Sequence, residues 1–162
     1  NRRGMELLGA EALRRSFASG LPAAVLMLDL DHFKQVNDRL GHAAGDRLLR
    51  AVAELCAASL RKEDVLARYG GEEFVVIAPQ TGLHEAGLLA QRIRLAVEGA
   101  RFEVLGEAPV TVSIGVAGAR EGSLDSLLKR ADAALYEAKV SGRNKVVVSV
   151  GRGEDEERFA EA

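Results

Sequence analysis

A pair of glycines separates two strand-like segments near the middle of the chain. Segments 65–69 and 73–78 are rich in apolar and β-favouring residues, and Gly70-Gly71 lies close between them. Glycine pairs permit the tight turn of a β-hairpin, and two strands joined so closely pair antiparallel. The sequence therefore predicts an antiparallel hairpin, which requires a sheet to which it can belong.

Apolar patterns elsewhere predict three more strands and five helices. The strands are 23–28, an apolar run covered on both faces that ends at Asp29; 110–117, whose strict alternation predicts one buried face; and 145–150. The helices are 5–18, 33–40, one from about Gly45, one around 88–97 and one over 124–138. The order, β-α-α-β-β-α-β-α-β after an N-terminal helix, predicts an α+β fold with a mainly antiparallel central sheet packed by helices.

Composition limits the classes of function. With 162 residues, 48% of them apolar, the chain can form one domain with its own core. A net charge of -2 and the lack of a basic patch with aromatic residues argue against a nucleic-acid partner. The single cysteine, Cys56, excludes an intrachain disulfide and fits a reducing cytoplasm. No apolar run approaches the roughly 20 residues of a membrane segment. Because the chain starts with Asn1, we expect a fragment that lacks an upstream sensor domain.

Three acids are predicted to meet at one edge of the sheet. If the strand that ends at Asp29 lies beside the hairpin, its carboxylate comes close to Glu72 and Glu73. Carboxylates that close repel one another unless a cation intervenes, and a set of oxygen ligands suits Mg²⁺ or Mn²⁺. A nucleoside triphosphate would then be the natural substrate. The alternative is a solvated hairpin tip, since turns favour glycine and charge.

Two motifs resemble the signature of a known family. RYGGEEF at 68–74, together with DLDHFKQVNDRLGHAAGD at 29–46, resembles GGDEF domains, the diguanylate cyclases. The resemblance covers residues 1–150 and leaves 151–162 as a polar C-terminal tail. It implies a ferredoxin-like or polymerase-palm-like fold, similar to class III nucleotide cyclases. The implied reaction condenses two GTP molecules into cyclic di-GMP and releases two pyrophosphates.

The resemblance also implies which residues form the catalytic centre. Asp29 and Glu72 would bind the metal ions with the help of the Leu30 carbonyl, and Glu73 would have a second metal or charge role. Each protomer would hold one GTP, so two half-sites must face each other across a two-fold axis, and a homodimer is expected for catalysis.

A second group of residues is implied to bind GTP. Asp46 and Asn37 would recognise guanine, because a carboxylate can accept from the N1–H and 2-amino donors that adenine lacks as a pair. The alternative for Asp46 is an N-cap of the following helix. Basic side chains would neutralise the triphosphate, although such residues can also be solvated. The complete set is Phe33, Lys34, Asn37, Asp46, Gly70, Gly71, Lys139 and Arg143.

A product-binding site is implied just before the glycine pair. Arg61 and Asp64 have the R-x-x-D spacing that the family uses to bind cyclic di-GMP as an inhibitor, and Arg92 matches a secondary arginine. The spacing alone has little value, since 28% of the residues are charged. Two alternatives to an enzyme remain: a non-catalytic module that binds GTP or cyclic di-GMP, and an inert α+β interaction domain.

Overall fold

One mixed sheet organises the molecule. The computed structural model describes residues 1–106 and 108–149; residue 150 of the last predicted strand and the predicted tail lie outside the described residues. Within them, the helices are α1 (Arg2–Ala18), α2 (Phe33–Leu40), α3 (His42–Ala57), α4 (Leu83–Gly99) and α5 (Leu124–Val140), with a short 3₁₀ helix at Glu103–Leu105. The strands are β1 (Ala23–Leu30), β2 (Val65–Arg68), β3 (Glu73–Ala78), β4 (Val112–Ala119) and β5 (Val146–Val148).

The strand order is β2-β3-β1-β4-β5, with β1 in the centre. The pairs β2–β3, β3–β1 and β1–β4 are antiparallel, and β5 runs parallel to β4. The predicted hairpin and the mainly antiparallel α+β fold are confirmed. This order sets Asp29 of β1 opposite Glu73 of β3 on one side and Ser113 of β4 on the other.

Two hydrophobic layers cover the two faces of the sheet. Leu26 and Leu28 of β1 pack with the buried residues of α3 and α4, whereas Val25 and Met27 pack with those of α1 and α5. Each fully buried side chain of this size stabilises the fold by about 1.5–3 kcal/mol. All eight residues of β1 are buried, so the prediction of a strand covered on both faces is confirmed.

The prediction that β4 has one exposed face is wrong. Its first seven residues are all buried, and the strand begins at Val112 rather than at 110. The small residues of the alternation allow a helix to pack closely: a Cβ on Gly115 would lie 2.9 Å from the carbonyl carbon of Ala134 in α5, and closer still to two other backbone atoms of that helix. The small residues that alternate along β4 therefore reflect close packing against α5 and not exposure to solvent.

Two helices begin earlier than predicted. α1 starts at Arg2 because the Asn1 side chain accepts a hydrogen bond from the backbone N–H of Gly4 at 2.7 Å, which caps the helix. α3 starts at His42, so Asp46 lies inside the helix. The alternative role of Asp46 as an N-cap is therefore wrong.

Candidate nucleotide and product sites

Asp29 is a carboxylate buried within the central strand. Only 4% of the residue is exposed, and Lys139 of α5 donates a hydrogen bond to its Oδ2 at 2.7 Å. Burial raises the pKa of Asp29 to about 6 although Lys139 acts in the opposite direction, and the charges of Glu72 and Glu73 raise it further. The acid from β1 and the acids of the hairpin are thus close enough to influence one another, as the sequence predicted.

The hairpin acids approach Asp29 without forming a complete ligand cage. Burial raises the pKa of Glu73, and the charge of Asp132 on α5 also raises it. The backbone of Glu72 accepts from the Leu30 N–H at 3.4 Å, which ties the turn to the end of β1. In residues 1–106 and 108–149, no three His, Cys, Asp or Glu side chains are grouped closely enough to hold a metal ion. The three carboxylates therefore interact electrostatically but are not close enough for all three to bind one ion, and the Lys139 ammonium lies beside Asp29.

An arginine fixes the hairpin turn. Arg68 donates from Nε and Nη2 to the carbonyl oxygen of Gly71, at 3.2 and 2.6 Å. A Cβ on Gly71 would meet nothing within 4 Å, so the surface of the turn is open. Neither Gly70 nor Gly71 has a positive φ, so these glycines are not required by a left-handed backbone; their missing Cβ leaves the backbone open to approach. Sequence analysis gave Arg68 no role, because the partner of Arg68 is a backbone atom.

The N-terminus of α2 is not occupied by a side chain of the helix itself. No side chain caps this end, and the turn contains no acidic residue. Uncapped N–H groups at a helix start favour an anion such as phosphate. The Phe33 side chain is 6% exposed and lies in the core, so its backbone is the part left for a ligand. Lys34 is exposed and makes no hydrogen bond or ion pair with the described residues.

The two residues predicted to recognise guanine lie on adjacent helices, Asn37 on α2 and Asp46 on α3. Asn37 Oδ1 is buried and has no hydrogen-bond partner in the described chain, which is costly unless a ligand supplies a donor. A Cβ on Gly45 would lie 3.0 Å from Asn37 Cγ and closer still to Oδ1, so only glycine leaves room for this amide. Asp46 lines a cavity of about 460 Å³, whereas Asn37 is not among the lining residues. The other lining residues are Leu49, Arg50, Ala53, Leu66, Ala67, Arg68 and Phe74.

Lys139 and Arg143 bracket the C-terminal end of α5. Lys139 lies in its last turn, and the backbone N–H of Arg143 donates to the carbonyl of Ala138 at 3.0 Å. The Arg143 side chain is exposed and makes no hydrogen bond or ion pair with the described residues. Two cations are therefore held at one helix end, and one of them has its charge free for a ligand.

The three residues predicted to bind product line one cavity. Arg61, Asp64 and Arg92 surround a space of about 270 Å³ together with Ser59, Thr81, Glu85, Leu88 and Leu89. Arg61 Nη2 donates to the Pro79 carbonyl at 2.9 Å and to Thr81 Oγ1 at 2.5 Å, and the Arg61 backbone N–H donates to Asp64 at 2.8 Å. The arginine is held in place before any ligand arrives. Thr81 was not predicted, since it is 20 positions distant from Arg61.

Asp31 is a further acid that sequence analysis did not assign. It is 4% exposed and accepts hydrogen bonds from Thr111, Ser113 and Asn144. Its position two residues after Asp29, at the end of a buried strand, was the available signal. Its partners on β4 and after α5 could not be read from the sequence.

No helix within residues 1–106 and 108–149 has both the length and the apolar character needed to span a membrane.

Comparison with known proteins identifies the family to which this α+β sheet and its acidic hairpin belong. A family model described as "Diguanylate cyclase, GGDEF domain" matches residues 1–145. The response regulator PleD of Caulobacter vibrioides is 47% identical over 91% of the chain and 34% of its own length. The active GGEEF domain of a diguanylate cyclase from Vibrio cholerae superposes with a TM-score of 0.86 at 30% identity, covering 92% of this chain and 96% of that one.

A third similar structure contains a ligand. The GGDEF domain of DgcB from Caulobacter crescentus, in complex with c-di-GMP, has a TM-score of 0.86 at 33% identity, covering 93% of this chain and 91% of that one. The fold thus defines a domain of the GGDEF class. The chain belongs to the diguanylate cyclase, GGDEF domain family, and the predicted resemblance is confirmed. It spans about a third of the length of PleD.

Proposed function

We propose that this domain is a diguanylate cyclase that condenses two GTP molecules into cyclic di-GMP and two pyrophosphates in the cytoplasm. The observation that carries the proposal is the buried Asp29 carboxylate. It lies in register with Glu73, is influenced by Glu72, and contacts a lysine at the end of α5. An isolated buried carboxylate is costly to keep, so a site that retains one near other acids favours a cationic ligand.

The donor set fits a divalent cation that prefers oxygen, Mg²⁺ or Mn²⁺. The Asp29 and Glu72 carboxylates and the Leu30 carbonyl would hold it, with Glu73 in a second metal or charge role. When bound, such an ion neutralises phosphate charge and activates a hydroxyl nucleophile. Lys139 would then leave Asp29 and turn to the triphosphate. With 31% of its side chain exposed, it has room to do so.

The remaining residues would orient the nucleotide. The uncapped start of α2 with Lys34, together with Lys139 and Arg143, would bind the triphosphate by charge and by backbone N–H groups. The unpartnered Asn37 amide and the Asp46 carboxylate would bind the guanine edge. Gly70 and Gly71 would let the phosphates approach the backbone of the turn.

Two protomers would complete the reaction. The 3′-hydroxyl of each GTP attacks the α-phosphate of the other, a P–O bond to pyrophosphate breaks, and the hydroxyl proton passes to solvent. A single protomer presents one nucleotide, so the two sites must face each other as a homodimer.

The test is incubation with GTP and Mg²⁺ followed by separation of the nucleotides. Cyclic di-GMP and pyrophosphate should form in a 1:2 ratio. Glu72→Gln should lower kcat by roughly 100-fold or more because an electrostatic contribution to the transition state is lost. Glu121→Gln, on an exposed loop remote from the site, is the matched control. Folded wild type that yields no cyclic di-GMP would contradict the proposal.

The cavity at Arg61 supports binding of the product as an inhibitor. A planar guanidinium held beside a carboxylate can form bidentate hydrogen bonds with guanine or with a phosphate. Arg61→Ala should abolish non-competitive inhibition by cyclic di-GMP and weaken its binding at least tenfold, with kcat unchanged, as calorimetry and initial rates would measure. Lys62→Ala, at the neighbouring exposed position, is the control. Binding without any turnover in wild type would favour the alternative of a non-catalytic receptor.

A further inference from the structure

A buried aspartate joins the end of β1 to the turn that follows α5. Asp31 Oδ1 accepts from Ser113 Oγ at 2.7 Å, and Oδ2 accepts from Thr111 Oγ1 at 2.7 Å and from the Asn144 backbone N–H at 3.0 Å. Both carboxylate oxygens are therefore engaged by neutral donors. Asp31 ties three segments that are distant in sequence: the end of β1, β4 and residues 141–144.

The same turn is anchored to α4 through a side chain. The Asn144 amide donates to Glu98 Oε2, and its Oδ1 accepts from Arg94 Nη1 at 3.1 Å. Arg94 and Glu98 also form an ion pair with 3.7 Å between N and O. Asn144 thus bonds to Asp31 with its backbone and to two residues of α4 with its side chain.

The anchored turn has a strained backbone. Arg143 and Asn144 have φ values of 64° and 47°, in the left-handed region. Asparagine tolerates this region, but a residue such as arginine adopts it at a cost of about 1 kcal/mol or more. Strain of this kind persists only where surrounding contacts hold it, and here Asp31, Arg94 and Glu98 supply those contacts.

We propose that Asp31 and Asn144 are positioning residues that hold residues 141–144 so that Arg143 and Lys139 face the triphosphate. The inference rests on the proposed function and adds two residues to it. If the hydrogen bonds of Asp31 and Asn144 are lost, the backbone of Arg143 relaxes toward negative φ. The Arg143 side chain then projects in a different direction. Neither anchor belongs to the residues proposed to bind the nucleotide, so each would act through the cations.

The test separates phosphate binding from base binding. Asn144→Gly keeps the left-handed backbone accessible but removes both side-chain anchors, and Asp31→Asn removes the charged acceptor. Ser123→Ala removes the N-cap at the opposite end of α5 and is the matched control for stability. Calorimetry measures the affinity for tripolyphosphate and, separately, for guanosine, while initial rates give KM and kcat with GTP.

Both anchor variants should weaken tripolyphosphate binding and raise KM for GTP by about tenfold, within the range expected for misplaced binding groups. Guanosine affinity should not change. Ser123→Ala should lower Tm without altering either affinity. Anchor variants that lower Tm yet bind tripolyphosphate within twofold of wild type would overturn the inference.

A rescue pair tests the anchor itself. Asn144→Asp places a second carboxylate against Glu98 and should weaken tripolyphosphate binding; adding Glu98→Gln restores an amide–carboxylate pair and should recover most of the affinity. No recovery would overturn the inference, and this pair decides the matter if Asp31→Asn does not fold. Wild type that fails to bind tripolyphosphate would also overturn it. Wild type that binds tripolyphosphate but makes no cyclic di-GMP would contradict only the proposed function.

Discussion

At the scale of single residues, Asp29 shows how stability and function oppose each other. Its pKa rises from 3.8 to about 6, mainly because the carboxylate is buried. A rise of this size corresponds to about 3 kcal/mol. Since the folded pKa lies above the unfolded one, the stabilisation belongs to the protonated form. It is complete below pH 3.8 and lost as pH rises through 6.

Asp29→Asn should therefore stabilise the metal-free protein at neutral pH. In EDTA at pH 7.5, we expect its free energy of unfolding to exceed that of wild type by about 1–2 kcal/mol, less than the full shift because Lys139 loses its partner. The difference should shrink toward pH 4, where Asp29 is protonated. Urea unfolding at a series of pH values measures it. A variant less stable than wild type at pH 7.5 would show that the lysine contact outweighs burial.

Gly45→Ala tests whether a missing Cβ makes room for the Asn37 amide. Alanine normally stabilises a helix interior by about 1 kcal/mol relative to glycine. Here the Cβ would lie 3.0 Å from both Asn37 Cγ and Phe33 Cζ, and closer to Asn37 Oδ1. We expect a net loss of about 1–3 kcal/mol in unfolding free energy and a higher KM for GTP.

Gly87→Ala in α4 is the control for that substitution. Its Cβ would meet Val148 at an ordinary 3.7 Å. The substitution should raise the unfolding free energy by about 0.5–1 kcal/mol and leave KM unchanged. If both substitutions stabilise the protein equally, the close approach at Gly45 has no energetic consequence.

Sequence analysis found residues that carry their own signal. Asp29 ends an apolar run, and Glu72 and Glu73 follow a glycine pair, so each stands out without knowledge of its neighbours. Arg68 and Asn144 do not, because what they do depends on a backbone carbonyl or on residues of another helix.

At the scale of elements, the close contact between β4 and α5 fixes the position of α5, whose C-terminal end carries the cations proposed to bind phosphate. A Cβ on Gly115 would come within 2.9 Å of the Ala134 carbonyl carbon. Gly115→Ala must push α5 away from the sheet because the obstacle is backbone, which cannot rotate aside. We expect a loss of about 3 kcal/mol or more in unfolding free energy, measured by urea denaturation.

Gly118→Ala in the same strand is the matched control. Its Cβ would meet the Leu83 side chain at 3.4 Å, so the change should stay within about 1 kcal/mol. Similar losses from both substitutions would indicate a general intolerance of alanine in β4 and would contradict a specific role for the close contact with α5.

The same contact explains an error of prediction at this scale. Strict alternation of apolar and small residues predicts a strand with one face in solvent, yet both faces of β4 are buried. Alternation in sequence shows only that the side chains of one face are smaller than those of the other. A face of Gly, Ser and Ala can be exposed to solvent or can pack closely against a helix. The hairpin was predicted correctly because its turn and its two strands are adjacent in sequence.

At the scale of the whole molecule, α3 lies between two candidate ligand sites. Asp46, Leu49 and Arg50 of α3 line the larger cavity, and Ser59, just beyond its C-terminal end, lines the product cavity with Arg61. The family resemblance singled out Asp46 and Arg61, and the packed chain shows that these two residues line separate cavities. If each proposed ligand occupies its own cavity, product would bind without displacing a nucleotide, as the proposed non-competitive inhibition requires.

The proposed mechanism makes the rate depend on assembly. If each protomer holds one nucleotide, two protomers must meet for each turnover, and the rate per protomer should depend on how often they meet. Specific activity with saturating GTP should rise with protein concentration, in proportion to it when dimers are rare and reaching a plateau when they dominate. Initial rates over a hundredfold range of concentration, compared with the dimer fraction from analytical ultracentrifugation, measure this. A specific activity that stays constant while ultracentrifugation shows only monomer would contradict the two-fold arrangement, because a single protomer would then be completing both phosphoryl transfers.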